Sequence, residues 1–364
     1  MAVEPRTIGT TAAAPAASGT EPDVPLSALY KVWPSNNTIR CQGRLIMGGE
    51  RECAVIRGCG WSWANACSWT FILVPCGFWF YLAMPYYWNS STTAMLPVLA
   101  LVLFCLTAGF MCATCCSDPG ILPRRSVIER TGTAEDLERL LGYNPLGTPG
   151  CVPCREIHLD REKMVPPELK ELGYAWCHTC EIVRPPRASH CSDCGNCVLR
   201  FDHHCPFVNN CVGQRNYRFF VGFTTSVCCL AAVVLPTLTW YGLSDAEANT
   251  LDAANAKDEV PNPFLRYLII GIASLAGLAF LALLGLWAYH LTLIARGKTT
   301  REAWKGIRPI DGVSDGPTLC GPRGPRLFDM LARVPPEEPR PKFGRGASRG
   351  PGEWQRSKSF QDKA

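Results

Sequence analysis

Residues 177–220 read CHTCEIVRPPRASHCSDCGNCVLRFDHHCPFVNNCVGQRNYRFF, which is the most informative part of the sequence. Seven cysteines and four histidines lie within the thirty-five residues from 177 to 211. Two tetrahedral zinc sites need eight Cys or His ligands in all. Six cysteines and two histidines can supply them: Cys177, Cys180, Cys191, Cys194, Cys197, Cys211, His190 and His204. This count leaves one cysteine, Cys205, without a metal to bind.

Cys205 is preceded closely by His203 and Asp202. A thiol beside an imidazole and a carboxylate is the arrangement of a nucleophile, its base and the group that orients the base. The stretch therefore predicts a zinc-built scaffold that holds one reactive cysteine.

Four long stretches contain no Asp, Glu, Lys or Arg, although 18% of the chain is charged: residues 68–88, 94–116, 219–243 and 267–295. We predict transmembrane helices over residues 68–88, 94–116, 219–243 and 264–295, because each reaches the roughly 20 apolar residues that cross a bilayer. A buried helix of a soluble protein would usually be shorter and would show a polar stripe. The predicted fold class is therefore an all-α integral membrane protein. Its four transmembrane helices carry a cysteine-rich zinc domain (177–220) between helices two and three.

The distribution of basic residues predicts the topology. The loop 117–218 contains thirteen Lys and Arg residues, and the segment 1–67 contains six. The loops 89–93 and 244–263 contain one between them, Lys257. The positive-inside rule then places both termini and the cysteine-rich loop in the cytosol, and the two short loops in the lumen. In a reducing compartment, clustered cysteines indicate metal binding or catalysis rather than disulfides.

Both ends of the chain have the composition of disordered tails. Residues 1–27 are rich in Ala, Thr, Gly and Pro, and the tail 296–364 is rich in Pro, Gly and Arg from about residue 334. Neither end shows hydrophobic periodicity. Residues 133–143, in contrast, have a capping residue, early acids and leucines at helical spacing, which predict a short amphipathic helix.

The order and spacing of these residues resemble the signature of the DHHC-type protein S-acyltransferases (palmitoyltransferases). The pattern is Cys177-x2-Cys180-x9-His190-Cys191-x2-Cys194-x2-Cys197-x4-Asp202-His203-His204-Cys205-x5-Cys211-x4-Asn216-x3-Phe220. Asp118-Pro119-Gly120 resembles the DPG element of that family, and Thr299-Thr300-Arg301-Glu302 its TTxE element. Residues 117–124 and 319–322 are similar to the Golgi and endoplasmic-reticulum members that acylate Ras-type GTPases.

The resemblance implies a role for each residue. One zinc would be bound by Cys177, Cys180, His190 and Cys197, and the other by Cys191, Cys194, His204 and Cys211. Cys205 would be the nucleophile, His203 its base and Asp202 the group that fixes the imidazole tautomer. Three residues would support them: Thr300, which would hydrogen-bond toward Asp202, Asn216, and Phe207, which would cover the first acyl carbons.

The resemblance also implies an activity, that of a protein-cysteine S-palmitoyltransferase. Palmitoyl-CoA would acylate Cys205, and a cysteine of a membrane-associated protein would then take the acyl group, in ping-pong order. Each buried methylene contributes about 0.8 kcal/mol to the binding free energy, so we expect the acyl chain to bind in an apolar cavity between the helices. Small residues would line it, such as Gly222, Ala231, Ala232 and Gly271. Basic residues would bind the CoA phosphates; the candidates are Arg184, Arg187, Arg200, Arg215 and Arg218.

The expected partners are long-chain acyl-CoA, membrane lipid, cysteine-containing substrates such as Ras-like GTPases, and a small accessory subunit, with no nucleic acid. The expected location is the Golgi apparatus or the endoplasmic reticulum. One departure is that residues 303–342 show no clear counterpart of the Asn-containing aromatic element that many family members carry beyond TTxE.

Three other interpretations stay open. A catalytically silent zinc-binding membrane scaffold would not need Asp202, His203 and Cys205 together. A thiol oxidoreductase would need a resolving cysteine, whereas Cys197 and Cys211 are assigned to zinc. A transporter would be expected to carry charged or polar residues at the membrane midplane, of which these helices have few.

Overall fold

Four long apolar helices form the frame of the molecule, which a computed structural model describes. They are Trp63–Trp88, Leu96–Cys116, the Tyr217–Leu243 part of the helix Tyr217–Leu251, and Pro263–Ala295. We call them spans one to four, because each is long and apolar enough to cross a membrane. A helix satisfies its backbone hydrogen bonds internally, which allows it to lie in lipid. The chain therefore fits a multi-pass membrane protein.

The described part of the chain covers residues 33–49, 62–89, 93–131, 133–141, 143–147, 165, 167–251 and 263–306. All of these residues belong to one compact unit, Ala28–Val334. The segments predicted to be disordered (1–27 and from 334) and the segment 319–322 lie outside the described residues.

Capping and proline residues shape span one. The Oγ of Ser62 caps its N-terminus by accepting a hydrogen bond from the backbone N–H of Asn65 (3.0 Å). Residues Trp79–Ala83 form a single π turn. Pro85 follows this turn and has no N–H to continue the regular ladder, which accounts for the wider turn.

Span three is the centre of the bundle, since it packs against both span two and span four. Gly222 lets spans two and three approach closely, because a Cβ atom at this position would lie 2.8 Å from the ring of Phe110. On span four, large apolar side chains such as Leu275, Leu278 and Leu281 are exposed. These outer faces suit contact with lipid.

The cysteine-rich segment consists of short antiparallel hairpins, so the predicted all-α class is wrong for this part of the chain. The paired strands are β4 Ala175–Cys177 with β5 Ile182–Arg184, β6 Ser189–Cys191 with β7 Asn196–Val198, and β8 His203–Cys205 with β9 Asn210–Val212. β3, Ile121–Leu122, pairs with β7. The reason lies in the ligands: His190 faces Cys197 and His204 faces Cys211 across the hairpins. Directly opposed residues have Cβ atoms about 4.5–5.5 Å apart, which suits two ligands of one ion.

A further hairpin, β1 Thr38–Arg40 with β2 Leu45–Met47, precedes span one. It lies against the β8–β9 hairpin. The N–H of Gly48 donates to the carbonyl of Asn209 (2.7 Å), and the side-chain amide of Asn210 donates to the carbonyl of Ile46 (3.0 Å). The segment before span one is thus part of the cysteine-rich assembly.

Short helices complete the described part of the chain. They are Arg125–Thr131, Ala134–Leu141, Pro167–Glu171 and Thr300–Trp304. The second lies within residues 133–143, where the sequence predicts an amphipathic helix. The last contains most of the TTxE-like element and follows span four.

Candidate active site and metal centres

Two clusters, each of three cysteines and one histidine, lie in the hairpin segment. The first consists of Cys177, Cys180, His190 and Cys197, and the second of Cys191, Cys194, His204 and Cys211. Within each cluster the ligand atoms lie within 4.8 Å of one another. The structure therefore brings together the same two interleaved sets that the family resemblance implies.

The backbone after each CxxC pair turns sharply. Glu181 follows Cys180 at φ 53°, and Gly195 follows Cys194 at φ 70°. A residue in this left-handed region reverses the chain, at little cost where it is glycine. The reversal leads each strand back toward the cysteines that precede it, which gathers the ligands.

The distances in both clusters fit a tetrahedral metal ion. The Nδ1 atom of His204 lies 3.4, 3.6 and 3.7 Å from its three sulfurs, and that of His190 lies 3.4, 3.7 and 3.9 Å from its own. Zinc bonds of about 2.3 Å to sulfur and about 2.0–2.1 Å to nitrogen, at tetrahedral angles, place these atoms about 3.6 Å apart.

Asp202, His203 and Cys205 form a different group at the start of the β8–β9 hairpin. The Nδ1–H of His203 donates to Oδ2 of Asp202 (2.6 Å). This bond leaves Nε2 for the hydrogen bond between the imidazole and the thiol of Cys205. Cys205 is 8% exposed and Asp202 is 2% exposed. Carboxylate, imidazole and thiol thus stand in the order of an orienting group, a base and a nucleophile.

The charges of this group support one another. Burial raises the pKa of the Cys205 thiol, but the hydrogen bond and charge of His203 outweigh it, so the pKa is lowered. Burial lowers the pKa of His203, but its bonds to Asp202 and Cys205 raise it to about 9. Burial raises the pKa of Asp202, yet His203 and Thr300 hold it below its usual value. The lowered pKa of the thiol and the raised pKa of the imidazole both favour a thiolate–imidazolium pair over the neutral pair.

The TTxE-like element reaches this group from the end of span four. The N–H of Thr300 donates to Oδ1 of Asp202 (2.8 Å), and its hydroxyl donates to Oδ2 (2.8 Å). Thr299 and Glu302 close a capping box around the short helix. The carboxylate of Glu302 also accepts two hydrogen bonds from Arg187 (2.6 and 2.9 Å). Span four is in this way fastened to the cysteine-rich segment beside Asp202.

The other two predicted supporting residues have different surroundings. Asn216 is fully buried; its Oδ1 accepts from the N–H of Gly213 (2.9 Å), and its Nδ2 donates to the carbonyl of Cys211 (2.8 Å). These bonds close the turn that leads into span three. Phe207 is 58% exposed and lines a cavity that Cys205 also lines.

This cavity has a volume of about 390 Å³ and lies between spans one, three and four. Its lining on span three runs from Phe220 to Leu235. Fifteen residues of helix rise about 22 Å. The lining side chains are almost wholly apolar, so the cavity suits a long hydrocarbon chain that begins at Cys205.

Small residues line this cavity, but mostly not the predicted ones. Ala231 does line it. The prediction is wrong for Gly222, which packs against span two, and for Ala232 and Gly271, which are absent from the lining. Ala276, Ala279 and Ala282 of span four line it instead. The apolar sequence of span four carries no signal of which face turns inward.

Partners within the protein can be named for three of the five arginines predicted to contact acyl-CoA. Arg187 is bound to Glu302. Arg215 forms an ion pair with Asp118 of the DPG-like element. The guanidinium of Arg218 lies 4.6 Å from the ring centroid of Phe219.

The remaining two candidates lie on either side of Arg187 in the sequence. Arg184 ends β5, and Arg200 stands at φ 43° before β8. Burial and then the nearby charge of Arg184 lower the pKa of Arg301. Arg301, which the sequence prediction missed, also lies 5.9 Å from the ring centroid of Phe201. An anion such as phosphate would offset the repulsion between these two guanidinium groups.

Polar residues of the spans also reach the site, and sequence reasoning missed them. His290 of span four is 2% exposed. Its Nδ1 lies 3.2 Å from the hydroxyl of Tyr217, and its ring centroid lies 5.9 Å from that of His203. The sequence did offer one indication of its role: His290 is the one histidine in the predicted spans, and ionisable residues inside a membrane mark functional sites. Ser62 and Asn65, at the start of span one, contact the turn that follows Cys205.

Comparison with known proteins agrees with this geometry. Residues 170–307 match the family model of the DHHC palmitoyltransferases. Palmitoyltransferase ZDHHC14 of Danio rerio is 32% identical over 340 residues, which cover 86% of this chain and 62% of the relative. Palmitoyltransferase ZDHHC18 of Homo sapiens is 31% identical over 320 residues (84% of this chain, 74% of the relative). Palmitoyltransferase ZDHHC14 of Homo sapiens is 34% identical over 328 residues (86% and 61%).

Four apolar spans with a cysteine- and histidine-rich segment between the second and third define a membrane protein with two candidate metal centres. The chain belongs to the DHHC palmitoyltransferase family. It spans about three fifths of the length of the two ZDHHC14 relatives and about three quarters of the ZDHHC18 relative.

Proposed function

We propose that this chain is a protein S-palmitoyltransferase, which transfers a long-chain acyl group from acyl-CoA to cysteines of membrane-associated proteins through an acyl-Cys205 intermediate. One observation carries the proposal. The hydrogen-bonded series Asp202, His203 and Cys205 ends at an apolar cavity that Cys205 itself lines. The relatives named palmitoyltransferases support the same activity.

In the first half-reaction, the thiolate of Cys205 attacks the thioester carbonyl carbon of acyl-CoA. A bond from this carbon to the Cys205 sulfur forms, the bond to the CoA sulfur breaks, and the proton on His203 passes to the departing CoA thiolate. In the second, His203 accepts the proton of a substrate cysteine, whose thiolate attacks acyl-Cys205. The Cys205 thiolate leaves and pairs again with protonated His203. Because one thioester replaces another, the two steps are nearly balanced in free energy.

The cavity supports a long acyl chain as the group transferred. About 22 Å of lining along span three is comparable to an extended sixteen-carbon chain. Each methylene moved from water into such a cavity contributes about 0.8 kcal/mol to the binding free energy, so most of the affinity for acyl-CoA would come from its acyl chain. Phe207, at the cavity and half exposed, would cover the first carbons.

We propose zinc as the metal of both clusters, since three thiolates and one imidazole in tetrahedral array are a typical structural zinc site. Each ion would join ligands that lie far apart in the chain. Binding of this kind stabilises a small domain by on the order of 10 kcal/mol. The two ions would hold the hairpins, and through β8 the catalytic group, in place.

For the CoA head group we propose Arg184 and Arg301 as the main phosphate contacts. Burial lowers the pKa of Arg301 most, and the nearby charge of Arg184 lowers it further. Arg187, Arg215 and Arg218 are occupied by Glu302, Asp118 and the ring of Phe219.

We propose that both termini and the cysteine-rich segment face the cytosol of the Golgi apparatus or the endoplasmic reticulum. The thirteen basic residues of the loop 117–218 support this orientation. The similarity of residues 117–124 to Ras-acylating members supports Ras-like GTPases as substrates and a small accessory subunit as a partner.

Incubation of the detergent-solubilised protein with a clickable palmitoyl-CoA analogue tests the activity. Cys205→Ser should abolish the label while about two zinc ions per chain remain, and hydroxylamine should remove the label from the wild type. Cys41→Ser is the matched control, because Cys41 is exposed in the hairpin before span one. Equal labelling of wild type and Cys205→Ser, or no labelling of a fully metallated wild type, would refute the proposal and favour a silent zinc-binding scaffold.

A further inference from the structure

We infer that Ser62 and Asn65 are positioning residues for Cys205, because they hold the turn that follows the nucleophile from the start of span one. The inference rests on the proposed function, since it concerns how Cys205 is held for acyl transfer. It assigns a catalytic purpose to a part of span one outside the DHHC segment.

The turn in question comprises residues 206–209 and joins β8 to β9. The hydroxyl of Ser62 donates to the carbonyl of Pro206 (2.7 Å), and the side-chain amide of Asn65 donates to the carbonyl of Phe207 (2.8 Å). The N–H of Gly48 donates to the carbonyl of Asn209 (2.7 Å). Three of the four carbonyl groups of the turn are therefore bound by chain that precedes span one or begins it.

Ser62 and Asn65 act as one unit. The backbone N–H of Asn65 donates to the same Ser62 oxygen that bonds Pro206, and both side chains are almost fully buried. The Asn65 amide also lies 3.6 Å from the sulfur of Cys115 on span two. A buried amide is costly unless it is hydrogen-bonded. The oxygen that accepts from the Asn65 amide is the carbonyl of Phe207, in the turn after Cys205.

Holding these carbonyls fixes the opposite side of the same peptide units. The N–H groups on that side belong to Phe207 and Val208, and both help to lower the pKa of the Cys205 thiol. That sulfur carries negative charge when it attacks acyl-CoA and again when it leaves the acyl-enzyme. Fixed N–H groups aimed at such charge stabilise it without reorganisation, and a displacement of about 1 Å can cost about a hundredfold in rate.

Asn65→Ala and Ser62→Ala test the inference, with Ser62→Thr as the variant that keeps the hydroxyl. Thr70→Ala is the matched control, because the Thr70 hydroxyl is exposed and bonds the Ala66 carbonyl within span one. Three quantities are measured: the single-turnover rate of Cys205 acylation, the half-saturating concentration of palmitoyl-CoA, and the zinc content. Hydrogen exchange of the peptide that contains residues 206–210 reports on the turn itself.

Each alanine variant should acylate about tenfold more slowly, which corresponds to the loss of one hydrogen bond between neutral groups. The half-saturating concentration and zinc content should stay within about twofold, exchange of the turn should rise, and Ser62→Thr should restore the rate. Unchanged exchange in both alanine variants would refute the clamp. Faster exchange with an unchanged rate, or a rate loss that merely follows zinc loss, would refute the positioning role. A wild type that takes no acyl group would refute the proposed function instead, and the exchange data would still decide whether the clamp exists.

Discussion

Replacing Thr300 by valine should slow the acylation of Cys205 while leaving the fold intact. The Thr300 hydroxyl donates to Oδ2 of Asp202, the same oxygen that accepts from His203. Valine has nearly the shape of threonine but cannot donate. The backbone N–H of Thr300 should still bond Oδ1, because the capping box of Thr299 and Glu302 fixes the helix start.

The size of the effect follows from the bond that is lost. A hydrogen bond to a charged, buried group contributes about 1.5–3 kcal/mol. If all of it acted in the transition state, the acylation rate would fall by roughly tenfold to a hundredfold. This range is an upper limit, because only the part of the bond that strengthens in the transition state appears in the rate. We expect a loss near the lower end, about tenfold.

The assay is rapid-quench labelling with clickable palmitoyl-CoA under single-turnover conditions. Thr300→Ser retains the hydroxyl and should recover most of the rate. Thr292→Val is the control, because the Thr292 hydroxyl is exposed and bonds the Tyr289 carbonyl within span four. The reasoning fails if Thr300→Val acylates within twofold of wild type with normal zinc content, or if Thr300→Ser is as slow as Thr300→Val.

Three further predictions concern the imidazole, the cavity and the metal. Asp202→Asn removes the charge that helps raise the pKa of His203 to about 9. The thiolate–imidazolium pair is lost as pH rises through the pKa of His203, so in this variant it should be lost at a lower pH. The fall of the acylation rate at alkaline pH should therefore begin at a lower pH. Ala279→Phe should fill part of the cavity and reduce labelling by palmitoyl-CoA more than labelling by a shorter acyl-CoA in a chain-length competition. Gly271→Ala, outside the cavity lining, should leave the ratio of the two labels unchanged. Cys180→Ser should lower bound zinc from about two ions to about one and lower the Tm by well over 10 °C, as read by metal analysis and thermal unfolding.

The spans and the metal clusters could be predicted because their signals are local. A run of some 20 residues without charge indicates a membrane helix whatever it packs against. The eight clustered ligands are recognisable by residue type and spacing alone. The proposed base and its orienting group, His203 and Asp202, are likewise neighbours in the sequence.

The hairpins could not be predicted in the same way. Strands of two or three residues are too short for an alternating pattern, and their pairing follows the ligands that meet at each cluster. Long-range partners were equally hidden. Nothing near Arg187 in the sequence indicates that it bonds Glu302, which lies 115 residues away. Asn65 lies before the predicted start of the first span, where no local pattern connects it to Phe207.

These long-range contacts explain why distant segments of the chain are needed to position Cys205 and His203. The proposed catalytic group is held by the hairpins on one side, by Thr300 after span four on another, and by Ser62 and Asn65 at the start of span one on a third. Spans one, three and four are also the helices that line the cavity. An acyl chain that moved these helices would therefore move the groups that hold Asp202 and the turn after Cys205. We therefore predict that loading of the cavity and alignment of the thiol are coupled through the same helices, and that a soluble fragment of the cysteine-rich segment binds metal yet acylates poorly.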